Sequence, residues 1–159
     1  MSSLTDKDLN EMFQNWPFQL EVTSVDILNR CIPEEKTSYF IVNTSPYPHP
    51  GHWCLIILKE LKCEFFDSLG LDIEYQHYNI KKFIKKHSSI VLSSTLPIQS
   101  VFSKKCGLFV IARILSFIIN EEVEEFLSRF SENTLENDKK VMDLINIYSS
   151  YFSFIAQLS

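Results

Sequence analysis

Apolar and polar positions follow different rhythms along this chain, and each rhythm predicts a different element. Near the N-terminus Leu9, Met12 and Phe13 recur at helical spacing. Thr5, with Asp8 three residues on, opens that segment as a helix cap with an acidic third residue. A short helix to about Phe13 is expected, its three apolar side chains on the core, and another short helix is expected after Ser24. "TSYFIVNT" (residues 37–44) is β-branched and aromatic and reads as a strand. "SPYPHPG" (residues 45–51) holds three prolines and a glycine and must be a loop. Residues 53–58 of "HWCLIILKELKCEFFDSLG" are apolar on both faces, the pattern of an interior strand. A tight turn at Lys59-Glu60 would return the chain as a second strand ending near Asp67.

In residues 74–87 the rhythm becomes helical. Ile80, Phe83 and Ile84 share one side, while Lys81, Lys82, Lys85 and Lys86 share the other. "SIVLSS" is a further strand. The longest apolar run, residues 107–119, is broken by Arg113 and too short to cross a bilayer, so it reads as a buried helix beginning at Cys106. Helices are expected over residues 121–130, capped by Asn120, and from about residue 135 to the end. Strands in the middle with helices at both ends make an α+β domain, a small mixed sheet packed with helices. No repeat or linker divides the chain, so residues 1–159 are expected to form one domain.

Composition narrows the classes. At 159 residues and 45% hydrophobic content, the chain can build a core without staples. The formal charge of −5 gives no overall attraction to nucleic acid, which leaves the lysine stripe of residues 81–86 as the local patch for such a contact. Cys31, Cys54, Cys63 and Cys106 show no paired spacing, and the polar start "MSSLTDKDLNEMF" lacks a secretory signal. Reduced thiols in a cytosolic or nuclear setting are expected, with no secretion and no membrane partner. His49, His52, Cys54 and Cys63 are a conceivable zinc set, but no cysteine knuckle accompanies them, and no metal or cofactor is expected. The bland reading of His77 and His87 is exposed or helix-end positions. Glu121, Glu122, Glu124 and Glu125 read as helix-start charge and solubility.

Cys106 invites a chemical reading. A sulfur at a helix start meets N–H groups without intrahelical partners and the positive end of the helix dipole. Lys104 and Lys105 would add charge, and all of these favour the thiolate. Gly107 would leave space beside the sulfur for a substrate carbonyl. A thiolate nucleophile needs an imidazole, and the imidazole needs an orienting carboxylate. A hairpin turning at Lys59-Glu60 places His52 opposite Asp67, within reach of a hydrogen bond. Gln99 could supply a side-chain donor to an oxyanion, beside the Cys106 N–H. Against this stands the common role of a free cysteine as a small buried hydrophobe.

"FIVNTSPYPHPGHWCLIIL", "CEFFDSLGL" and "QSVFSKKCGLFVIARILSF", in that order, resemble the adenovirus maturation protease (adenain) and, more distantly, the ubiquitin-like-protein-specific cysteine proteases. The resemblance spans residues 39–117. It implies an adenain-like fold, with His52 as general base, Cys106 as nucleophile and Gln99 in the oxyanion hole. Asp67 stands where adenain typically has Glu and the ubiquitin-like-protein branch has Asp, and Lys105 stands where adenain usually has Asp. Gly51, Trp53 and Gly107 are expected to line the cleft. The implied activity is that of a thiol endopeptidase cutting capsid or core precursors, after glycine, during virion maturation of a DNA virus. Its place would be the virion and the host nucleus or cytoplasm, and the chain is expected to be a monomer. The alternatives are a peptidase acting on ubiquitin-like modifiers and a non-catalytic binding module. DNA and an activating peptide are partners that the adenain resemblance implies. Residues 88–97 hold no cysteine for the disulfide such a peptide uses, and the lysine stripe is what remains for DNA.

Overall fold

The computed structural model describes residues 3–152. Its elements in order are α1 (Asp6–Met12), β1 (Gln19–Ser24), a 3-10 turn at Leu28–Arg30, β2 (Ser38–Asn43), β3 (Trp53–Lys59) and β4 (Lys62–Phe66). A second 3-10 turn at Ile73–Tyr75 precedes α2 (Tyr78–His87), β5 (Ile90–Ser93), α3 (Cys106–Ile118), α4 (Val123–Ser128) and α5 (Thr134–Ser149). The five strands form one sheet in chain order. β1 and β2 are parallel, β3 is antiparallel to both its neighbours, and β5 runs parallel to β4. The architecture is α+β with a mixed sheet, as the succession of elements implies.

The strand rhythm divides the core in two. Tyr39, Ile41, Trp53, Leu55, Ile57 and Phe66 face α1, α3, α4 and α5. Phe40, Val42, Cys54, Ile56, Leu58, Cys63 and Phe65 face α2 and the first 3-10 turn. β3 is the middle strand and is buried on both sides, which is why its sequence shows no alternation. α3 is buried nearly all round, from Cys106 to Ser116. Arg113 lies inside this helix because Glu64 of β4 takes its guanidinium through two 2.7 Å contacts, with Ser116 and the Glu121 carbonyl accepting from the remaining edge. That fork fixes α3 on the sheet and so sets where its first residue sits.

Several expectations change. β1 joins the sheet although its alternation is short and mostly polar; pairing with β2 is what makes it a strand. The segment after Ser24 forms a 3-10 turn, and the helix expected over residues 74–87 splits at Gln76. The hairpin turns at Glu60-Leu61, with Glu60 at φ 58° and Lys59 opposite Lys62. Relative to the expected turn, the register slips by two residues, which leaves every side chain on its intended face.

Asn120 ends α3 and does not cap α4. At φ 64° it adopts the left-handed conformation that asparagine tolerates, with its own N–H and that of Glu121 closing onto Phe117 and Ser116. Glu121 is no solubility residue. It is buried and accepts from both arms of Arg129 and from the Tyr148 hydroxyl. α4 then begins at Val123 and is shorter than expected. The end of the last expected helix, residues 153–159, lies outside the described residues.

Candidate active site

Three elements converge at the open end of the β3–β4 hairpin. His52 immediately precedes β3 and is fixed through its main chain, its carbonyl accepting from Thr44 N–H and its own N–H donating to Thr44 Oγ1. Asp67 immediately follows β4. Continued outward, the strand register puts Asp67 opposite Cys54, with His52 two positions along the same strand. Such a diagonal neighbour is within reach of a long side chain. The contact is made: His52 Nε2 lies 2.6 Å from Asp67 Oδ1.

The Asp67 carboxylate is buried and fully engaged. Oδ1 also accepts from Leu69 N–H at 2.9 Å, and Oδ2 accepts from Gln76 Nε2 at 3.0 Å. Gln76 carries no signal in the sequence; it reaches Asp67 because the chain turns back between Gly70 and the second 3-10 turn, and the same amide donates to Leu71 O.

With Nε2 committed to Asp67, the Nδ1 side of the ring is the one left to face Cys106, and imidazole and thiol shift one another's titration. Burial by itself would lower the imidazole pKa. The Asp67 and Cys106 contacts outweigh it and raise it to about 9. Burial would likewise raise the thiol pKa, but His52 and the Trp53 and Gly107 N–H groups bring it below its ordinary value. The Trp53 N–H lies 3.4 Å from the sulfur. Shifts in these opposite directions favour a thiolate–imidazolium pair, an arrangement able to attack an acyl carbon and pass a proton to the leaving group.

The lysines expected to support the thiolate are turned elsewhere. Lys105 Nζ donates to the Asp138 carbonyl at 2.9 Å, and Lys104 is exposed. No side chain caps α3, so its first N–H groups stay open toward the sulfur's end of the helix.

Gln99 is buried. Its Oε1 accepts from the Ser68 hydroxyl, and its Nε2 donates to Ser103 O at 3.0 Å. The Ser68 carbonyl accepts from the Ile98 and Gln99 N–H groups. α5 supports the same loop: Asn137 donates to Ile98 O, and Asp138 accepts from Ser100 N–H.

Gly51 and Trp53 flank His52 and line a cleft of about 450 Å³ with Leu4, Tyr47 and Pro48. Gly51 is needed there, because a Cβ would come 2.2 Å from Asn43 Oδ1 and 2.6 Å from Ser45 Oγ. Gly107 does not border open space. It is buried, and a Cβ would meet Leu4 at 3.1 Å. Leu4 is held over it by a 2.9 Å bond from Trp53 Nε1 to the Leu4 carbonyl. The sequence holds no cue that residues so distant along the chain share this place. Lys82, Lys85 and Lys86 stand exposed on α2, on the opposite side of the helix from Ile80, Phe83 and Ile84, while Lys81 is half-buried and reaches the Glu74 carbonyl. Among the described residues no group of three or more His, Cys, Asp or Glu side chains is placed to hold a metal ion, and no helix is long and apolar enough to cross a membrane.

Neither a family model nor a curated protein matches this sequence. In three dimensions the chain is similar to the crystal structure of the ASFV pS273R protease, with a TM-score of 0.67 and 15% sequence identity over 99% of this chain and 68% of that one. What that likeness shows is the fold: this chain shares the α+β architecture of that protease.

Proposed function

We propose that the protein is a cysteine endopeptidase of adenain type, acting through Cys106, His52, Asp67 and Gln99 on viral capsid or core precursors during virion maturation. The observation that carries this reading is the 2.6 Å contact between His52 and the buried Asp67 carboxylate, together with imidazole and Cys106 thiol shifted in opposite directions. The shared fold supports it.

In the proposed reaction the Cys106 thiolate attacks the scissile carbonyl and the sulfur–carbon bond forms. The oxyanion takes its hydrogen bonds from the Cys106 N–H and the Gln99 amide. Collapse breaks the carbon–nitrogen bond as His52 gives its proton to the departing amine. Water, deprotonated by His52, then releases the thioester. Trp53, its N–H on the sulfur and its indole tied to Leu4 over Gly107, leaves little room at the start of α3, which favours a glycine at the cleavage point. The exposed lysines of α2 are the place proposed for DNA, and the reading puts the protein in the virion and the infected cell.

Cys106→Ala should fold and show no detectable turnover of glycine-containing peptides, whereas Gln99→Ala should lower kcat by about 10²-fold, the scale of one lost oxyanion donor. Cleavage by the alanine variant at Cys106 would end the assignment. A second reading, a peptidase for ubiquitin-like modifiers, is favoured by Asp67 as the acid. Faster cleavage of a folded modifier's C-terminal fluorogenic derivative than of short peptides would select it.

A further inference from the structure

Asp67 and Ser68 are adjacent, yet their side chains serve different parts of the site. Asp67 reaches His52, while Ser68, fully buried, reaches Gln99 twice, through its hydroxyl to Oε1 and through its carbonyl to the Gln99 N–H at 3.0 Å. These contacts settle the orientation of the Gln99 amide. Ser103 O can only accept, so the amide edge facing it must be nitrogen, and the oxygen therefore faces the Ser68 hydroxyl. One N–H of that amide is spent on Ser103. The other has no partner among the described residues, although Gln99 is only 2% exposed. A buried amide donor without a partner costs free energy unless something else uses it.

We propose that Ser68 is a positioning residue for the oxyanion hole: its hydroxyl and carbonyl hold Gln99 so that the free amide N–H is presented to the tetrahedral intermediate. The Asp67-Ser68 step then aligns both halves of the machinery at once, the base through one side chain and the oxyanion donor through the next. The Gly70 turn holds this step in place. At φ 74° Gly70 packs so closely on Leu96-Pro97 that a Cβ would lie 2.6 Å from the Pro97 nitrogen, which brings the segment leading to Gln99 against Ser68. The inference rests on the proposed peptidase reaction for its kinetic consequence and on the hydrogen bonds alone for its structural one.

The test is a double-mutant cycle joined to an exchange measurement. Ser68→Ala should lower kcat about tenfold with KM little changed, the scale of one orienting hydrogen bond. In the Gln99→Ala background the same substitution should have no further effect, because the donor it orients is gone. A merely structural role for Ser68 would lower both backgrounds by the same factor, and that result overturns the proposal. Independently of any turnover, the Gln99 side-chain amide protons, assigned by their loss in Gln99→Ala, should exchange with solvent faster in Ser68→Ala than in the parent protein, at an unchanged melting temperature. Unchanged exchange also overturns it. A parent protein that cleaves nothing counts against the peptidase reading, while the exchange result still decides the role of Ser68.

Discussion

The proton on His52 is governed by three residues that the chain brings together from positions 52, 67 and 106. Asp67 keeps the imidazole charged up to about pH 9, and Cys106 ionises below the usual thiol range because it faces that charge and two N–H groups. The thiolate–imidazolium pair that the proposed peptidase would use therefore exists above the lowered thiol pKa and below about 9. A bell-shaped dependence of kcat/KM follows, its two limbs belonging to the coupled pair. Asp67→Asn removes the carboxylate that raises the imidazole pKa, so the alkaline limb should move to lower pH and the plateau should narrow. Stopped assays across pH 5 to 10 on the two proteins would show this; an alkaline limb that stays near 9 in the variant would mean that Asp67 does not hold the proton on His52.

Among the elements, α3 decides whether the sulfur arrives where the imidazole is. Its position depends on Arg113, which is 1% exposed and forked onto Glu64 of the neighbouring strand. Arg113→Met keeps most of the side-chain volume but leaves the Glu64 carboxylate nearly buried without its cation. Breaking such a pair costs about 3–5 kcal/mol. Denaturant unfolding should show a loss of that size, with the double variant Arg113→Met, Glu64→Leu recovering much of it, since replacing both partners by apolar groups leaves no stranded charge. The sequence marks Arg113 as the break in an apolar run and so identifies a buried helix, yet it offers no way to pair that cation with Glu64 and not with another acid. The β3–β4 hairpin teaches the same lesson. Its strands are plain in the pattern, but the turn falls one residue beyond Lys59-Glu60, which slips the register by two, and His52 meets Asp67 diagonally because a two-residue slip preserves the face.

Taken over the whole molecule, the four cysteines occupy contrasting environments. Burial, together with nearby Glu21 and Glu64 respectively, pushes Cys31 and Cys63 up to about 12, and burial pushes Cys54 well above its ordinary value, whereas Cys106 is lowered. Only the thiolate alkylates at an appreciable rate. Brief treatment with iodoacetamide near neutral pH should therefore label Cys106 alone, and peptide mass mapping would show it. Equal labelling of Cys31 would indicate that the ion pair is not formed in the free protein.

By itself the sequence determined the local features of this protein. The capping box at Thr5, the doubly apolar β3, the proline loop and the uninterrupted burial of α3 follow from residue type and spacing, which act over a few positions. The residues His52, Asp67, Gln99 and Cys106 could be picked out because each chemistry needs a particular side chain and the order of segments resembles a protease family. Tertiary structure decided the rest. It turned Lys105 away from the sulfur, closed Leu4 over Gly107, buried Glu121, and set Gln76 on Asp67 and Ser68 on Gln99. Each of these contacts joins atoms through space whose partners are chosen by how the sheet and helices pack, and the pattern along a chain carries no record of that choice.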